Sequence, residues 1–140
     1  MTIADIQQEI IDEFEFFEDW ESRYEHLIAL GKSLPVIDPA HKTENYLIKG
    51  CQSQVWVYPE LQNGRLTFTA DSDAIITKGI VALLLRVFQD QTPEDIITAD
   101  MEFIDTIGLK EHLSPTRANG LVSMIKQIKL YAVALQNQQN

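Results

Sequence analysis

The stretch QVWVYPELQNGRLTFTAD, Gln54 to Asp71, decides the architecture. Asn63-Gly64 is the residue pair of a type I′ turn, in which both central positions need a positive φ. A two-residue loop there pairs Gln62 with Arg65, Leu61 with Leu66, Pro59 with Phe68 and Val57 with Ala70. One face then carries Val55, Val57, Pro59, Leu61, Leu66, Phe68 and Ala70, and the other Trp56, Tyr58, Glu60, Arg65, Thr67 and Thr69. Slipping the register by one residue would mix the two faces, so burial selects it. Pro59 falls at a non-hydrogen-bonded pair, and its missing N–H faces away from the partner strand. A third strand on that side must stop before Pro59. Asn45 to Ile48 is the candidate, folding back through Lys49, Gly50, Cys51 and Gln52.

Outward from the hairpin, the chain is helical on both sides. Ile3, Ile6, Ile10, Phe14 and Phe17 recur at spacings of three and four, the mark of one helix face. Trp20, Tyr24, Leu27, Ile28 and Gly31 form a second such face, with Asp19 as its N-cap and Gly31 and Pro35 as its end. Residues 33–43, SLPVIDPAHKT, read as an extended surface connection. After the hairpin, Asp73 reads as the N-cap of a helix to Phe88, whose Ile80–Phe88 part is apolar nearly all round and therefore central. Thr92-Pro93-Glu94-Asp95 opens a short helix with Thr as cap and Pro at its first position. A brief helical stretch is expected around Thr106–His112, and Ser114-Pro115 starts the last helix. Its buried stripe is Ala118, Leu121, Val122, Ile125, Ile128, Ala132 and Leu135, and the tail QNQQN is expected to fray. Helices, then a small antiparallel sheet, then helices imply an α+β fold: a three-stranded antiparallel sheet with helices packed on one face.

The 140 residues match one domain, 1–140, and 45% hydrophobic with 23% charged residues fits a soluble globular chain. Eleven Lys and Arg against twenty-one Asp and Glu leave a formal charge of −10, a field that repels a phosphate backbone, so no nucleic-acid partner is expected. One cysteine rules out an intrachain disulfide and a metal site built on several thiolates of this chain. The N-terminus is acidic and lacks a signal-peptide pattern, and the longest apolar run, Ile80 to Leu85, is far short of the ~20 residues of a membrane span. A cytoplasmic location without membrane partners is expected.

Little in the chain carries chemistry. His26, His41 and His112 have no metal-ligand spacing and read as surface or capping residues. No Gly-rich phosphate loop and no serine-hydrolase signature is present, and neither a metal nor a cofactor is called for. Cys51 remains, in YLIKGCQSQVWV, Tyr46 to Val57. Cysteine statistics alone favour an inert core residue. Three local features oppose that reading. Gly50 permits an unusual backbone directly before the thiol. Lys49, Gln52, Ser53 and Gln54 are polar, so this is no core run. A loop between strands would place the thiol at a tip within a partner's reach. Lys49 and loop N–H groups aimed at sulfur would raise its thiolate fraction. No histidine adjoins it in sequence, which suits a thiol whose chemistry another protein supplies.

Gly50-Cys51-Gln52-Ser53-Gln54-Val55-Trp56 resembles the GCQSxVW signature of SufE-type sulfur-acceptor proteins, which include the CsdE branch. Asp71 to Gly79 resembles the family's SDAxIVxG helix start, Thr92 to Ile96 its TPxDI segment, and Leu113 to Leu121 its L(T/S)PxRxxGL block. The blocks run through most of the chain in the family's order. The resemblance implies a SufE/NifU-like fold and a carrier that accepts sulfane sulfur from a pyridoxal-phosphate cysteine desulfurase of the SufS/CsdA kind. It implies that Cys51 becomes the persulfide, that Lys49, Gly50, Gln52 and Ser53 form the active-site loop, and that Asp73 and Arg117 lie near that loop and the desulfurase interface. The carrier would stimulate the desulfurase and pass sulfur to a SufBCD-like iron–sulfur scaffold, or in the CsdE branch to another pathway. It is an activator and carrier more than a stand-alone enzyme.

A pocket formed by the apolar sheet face and the Ile80–Phe88 helix would shield the persulfide between encounters. Scaffolds of the IscU/SufU kind use three cysteines and fit poorly. A cysteine hydrolase or peroxidase, and an acidic interaction module with an inert cysteine, stay open on the residues alone.

Overall fold

The computed structural model describes residues 1–138. In chain order it contains α1 (Ile3–Phe16), α2 (Trp20–Lys32), two 3-10 turns (Pro39–His41 and Glu44–Tyr46), β1 (Val55–Gln62), β2 (Arg65–Ser72), α3 (Ile75–Phe88), α4 (Pro93–Thr98), α5 (Phe103–Thr106), a 3-10 turn (Lys110–His112) and α6 (Pro115–Gln138). It is an α+β arrangement, with the hairpin between two helical segments.

The hairpin has the expected register: Gln62 opposes Arg65, Leu61 Leu66, Pro59 Phe68 and Val57 Ala70. Asn63 and Gly64 take φ of 53° and 77°, as a type I′ turn requires. Val55, Val57, Leu66, Phe68 and Ala70 are buried and face α3, which runs through the centre of the core with Ile80, Leu83, Leu84, Val87 and Phe88 fully enclosed. Across the sheet, the polar face is covered by the connection before it. His41 stacks on Tyr58 at 3.6 Å between ring centroids, and the Lys42 ammonium lies 4.7 Å from the Trp56 ring centre.

The sheet has two strands, not three. Residues 44–46 close a 3-10 turn, with the N–H groups of Tyr46 and Leu47 donating to the carbonyls of Thr43 and Glu44. Those donors are then spent locally, and only one rung survives: Leu47 bridges Trp56, and the Ile48 N–H reaches the Val55 carbonyl at 2.8 Å. The outer edge of β2 is occupied as well. Ala70 donates to the Pro35 carbonyl and accepts from the Ile37 N–H, Leu66 donates to the Gln91 carbonyl, and the Gln89 side chain bonds both N–H and C=O of Phe68. The Pro-containing connection is thus docked alongside β2.

Local signals placed most helix starts. Asp19 caps α2 by accepting the Ser22 N–H at 2.7 Å, and Thr92 caps α4 by accepting the Asp95 N–H at 3.2 Å. Other boundaries differ. Gly31 lies inside α2 because it meets Gly79 of α3 there: a Cβ added at Gly31 would stand 3.0 Å from the Gly79 nitrogen. The cap of α3 is Ala74 rather than Asp73, whose carboxylate is engaged elsewhere. The stretch expected at Thr106–His112 is split at Gly108 (φ 73°) into α5 and a 3-10 turn. In α6, Val122 is half exposed while Met124 is buried, so the buried stripe is displaced toward Gly120 and Met124. Gln136 to Gln138 continue α6 instead of fraying, and the expectation for Gln139 and Asn140 lies outside the described residues.

Candidate functional site

Cys51 leaves the Ile48 rung through a turn at Lys49-Gly50, where Gly50 adopts φ 88°. That value is open to glycine at little cost. The turn lies against α6: a Cβ on Gly50 would sit 2.5 Å from the Ser123 hydroxyl oxygen. Gly120, one helical turn earlier, faces the same segment: a Cβ there would stand 3.4 Å from the Cys51 sulfur, in ordinary contact. The sulfur is therefore half-buried rather than held at a tip, and the Cys51 S–H donates to the Gly120 carbonyl at 3.6 Å.

Beside the sulfur lies a cleft of about 70 Å³, roomy enough for a terminal sulfur atom or an ordered water. Its near side is Cys51, Gln52 and Ser53; α3 contributes Thr77 and Ile80, and α6 contributes Thr116, Arg117, Gly120 and Met124. The expected apolar sheet face does not line it. The apolar lining comes from Ile80 and Met124, and the polar lining from Gln52, Ser53 and the first turns of two helices. This follows from the geometry of the turn, which carries Cys51 off the hairpin and onto α6.

Burial raises the thiol's pKa by penalising the thiolate. The carbonyl it faces can only accept, so it also favours the protonated form. Lys49 does not offset this: its ammonium is 3.6 Å from the Glu44 carboxylate, in an exposed pair. The expected activation by Lys49 is therefore absent from this conformation. None of the histidines lines the cleft. His26 bonds Glu13 at 3.1 Å, His41 stacks on Tyr58, and His112 stacks on Trp20 and bonds the Gly108 carbonyl at 3.0 Å.

Asp73 and Arg117 reach the site in different ways. The Asp73 carboxylate accepts the Gln54 N–H at 3.0 Å, the Asp73 N–H donates to the Gln54 carbonyl at 3.3 Å, and the Ser72 hydroxyl donates to that same carbonyl at 2.9 Å. The residue three positions after Cys51 is thereby tied to the start of α3. Asp73 anchors the loop without lining the cleft. Arg117 is exposed and borders the cleft, and its backbone N–H donates to Ser114 at 3.2 Å, the cap of α6. The expected contribution of the Ile80–Phe88 helix is present through Ile80, whereas sequence reading missed Thr77, Thr116, Gly120 and Met124. Thr116, Gly120 and Met124 recur every four residues, a one-face pattern that was visible but carried no mark of chemistry.

The family model described as SufE, Fe-S metabolism associated domain, matches residues 8–132. The chain belongs to the SufE family. Two uncharacterised SufE-like proteins are similar to it along most of their length. That of Rhizobium meliloti is 42% identical over 126 residues, covering 86% of this chain and 90% of the relative. That of Rhizobium etli is 40% identical over 126 residues, covering 86% and 85%. The solution structure of a hypothetical protein from Thermus thermophilus superposes with a TM-score of 0.80 at 19% identity, covering 94% of this chain and 96% of that one, a likeness of fold. Membership ties this SufE-family chain to iron–sulfur metabolism. No helix among the described residues is long and apolar enough to cross a membrane.

Proposed function

We propose that this protein is a cytoplasmic sulfur acceptor and carrier, which takes persulfide sulfur from a SufS/CsdA-like cysteine desulfurase onto Cys51, stimulates that desulfurase, and delivers the sulfur to a SufBCD-like assembly scaffold. The supporting observation is the placement of the chain's one cysteine: a half-buried thiol on a glycine turn, beside a small cleft. In the transfer, Cys51 loses its proton to a base of the donor enzyme or to solvent. The thiolate attacks the terminal sulfur of the donor's persulfide, a new S–S bond forms on Cys51, the donor's S–S bond breaks, and the donor cysteine leaves as a thiolate. No net oxidation occurs.

The resting site suits a carrier. A raised thiol pKa keeps Cys51 unreactive until a partner engages the loop, and the absence of a histidine in the cleft argues against a self-contained hydrolase. Asp73, with Lys49, Gly50, Gln52 and Ser53, sets the loop's position, and Arg117 borders the partner-facing opening. Intact-mass spectrometry after incubation with a cysteine desulfurase and cysteine tests the reading. The expected result is a gain of one sulfur on Cys51 that disappears in Cys51→Ser. A wild-type protein that gains nothing overturns it.

A further inference from the structure

Thr77 is the one uncharged polar side chain of α3, and the transfer step above gives it nothing to do. It is only 5% exposed. Its side chain lines the Cys51 cleft. Elsewhere in the protein, threonine hydroxyls on helices bond backward: Thr98 donates to the Glu94 carbonyl and Thr106 to that of Glu102. The Thr77 hydroxyl has no hydrogen-bond partner among the described residues, yet no sealed side-chain oxygen or nitrogen there is left unpaired. Its access is through the cleft. The residue is nine-tenths buried, but its hydroxyl opens to the cleft, where a water or a ligand takes the bond.

The surroundings define that ligand's charge. Thr77 occupies the third position of α3, whose cap Ala74 offers no side-chain acceptor to the first-turn N–H groups. On the opposite wall Thr116 and Arg117 belong to the first turn of α6. Both helix starts present the positive end of the backbone dipole, and Arg117 adds a guanidinium. In a chain of formal charge −10, this is a local place for an anion.

The empty and loaded forms of Cys51 differ in what they need. The empty thiol is a donor, and the Gly120 carbonyl accepts from it. After loading, the inner sulfur carries no hydrogen and that bond is lost. The terminal sulfur lies a further S–S bond out, roughly 2.05 Å. A persulfide is a stronger acid than the parent thiol, so at neutral pH its terminal sulfur is anionic and needs a donor.

Resting on the carrier reading, we propose that the Thr77 hydroxyl is the donor that holds the terminal sulfur of the Cys51 persulfide, as its anion, inside the cleft. The site thereby tells cargo from no cargo: an acceptor meets the thiol, and a donor meets the persulfide.

The test loads wild-type protein, Thr77→Val, Thr77→Ala and Thr77→Ser with a cysteine desulfurase and cysteine, removes the desulfurase, and follows alkylation of the persulfide against pH by mass spectrometry. Valine keeps the shape without the hydroxyl, alanine is a second route if valine disturbs folding, and serine restores the donor. The expected result is a midpoint raised by about one pH unit in the valine and alanine variants and unchanged with serine. The same profile of the unloaded thiol is measured in all four as the reference: the persulfide midpoint must rise by more than the thiol midpoint, and equal shifts of both would mark a structural role and overturn the inference. Coincident persulfide profiles of wild type, valine and alanine overturn the inference while leaving the carrier reading standing. A serine variant that behaves like valine also overturns it. Wild-type protein that takes up no sulfur overturns the carrier reading, and this inference with it.

Discussion

Replacing Gly79 by alanine sets two opposing effects against each other. Gly79 lies mid-helix in α3, and by propensity alone alanine would stabilise it by about 1 kcal/mol. The crossing of α2 over α3 opposes this. A Cβ at Gly79 would stand 2.2 Å from the Leu27 carbonyl oxygen, 2.6 Å from its carbon and 3.2 Å from the Leu27 Cβ. The first two atoms are backbone and cannot rotate aside, so α2 must withdraw by roughly 1 Å to reach ordinary contact, and it loosens the packing of the enclosed Leu27 as it goes. Overpacking of this kind costs about 3 kcal/mol. The net expectation is a loss of about 2 kcal/mol, or roughly 6 °C in Tm for a chain of this size. Gly31→Ala is the internal control. Its Cβ would meet the Gly79 nitrogen at 3.0 Å, a conflict that a few tenths of an ångström relieve, so propensity and crowding should nearly cancel. Urea unfolding followed by far-UV circular dichroism measures both. A Gly79→Ala protein as stable as wild type, or more so, refutes the argument that close approach outweighs propensity at this crossing. Because Gly79 sits between Thr77 and Ile80, the shift should also be felt in the Cys51 cleft.

Two further expectations concern pH. Burial holds the Cys51 thiol above its ordinary pKa, so the iodoacetamide reaction of native, unloaded protein should reach half its plateau rate at a higher pH than in urea-unfolded protein; an equal or lower native midpoint would remove the burial argument. The Glu13 carboxyl is lowered chiefly by its hydrogen bond from Arg86, so its contribution to stability is full above the unfolded value near 4.5 and fades as pH falls through the lower folded value. With Glu13 35% and Arg86 29% exposed, solvent screening limits the contribution to about 0.5 kcal/mol. Glu13→Gln should therefore lower the urea midpoint slightly at pH 7 and by less at pH ~3, and a loss of equal size at both would show that shape rather than charge is at stake.

What was readable in the sequence was local. Asn63-Gly64 dictates its turn through its own φ preferences, and the alternating faces around it fix the pairing through burial. Asp19 and Thr92 cap helices because their acceptors lie three residues from the N–H they satisfy. Asp73 has the same chemistry, yet its carboxylate goes to the Gln54 N–H, nineteen positions away in sequence and brought near only by the hairpin. Residues 45–48 are too few to make a strand once the Tyr46 and Leu47 N–H groups are spent in a 3-10 turn. Cys51 stood out because it is the single cysteine and sits in a family-specific block, but its neighbours include Gly120 and Met124, contributed by a helix about seventy residues further on. The cleft walls, Thr77 and Thr116, belong to helices read separately, and no spacing rule within either joins them.

The covered rims of the hairpin bear on how this molecule lives among others at high concentration. Gln89, Gln91, Pro35 and Ile37 satisfy the outward groups of β2, while Leu47 and Ile48 take one end of β1 and Pro59 has no donor to offer at the other. A stray strand from a neighbouring chain thus finds few backbone groups on which to zip, the usual first step toward cross-β aggregation. Encounters through side chains and helix ends can instead be brief and reversible, which the carrier role proposed above would require.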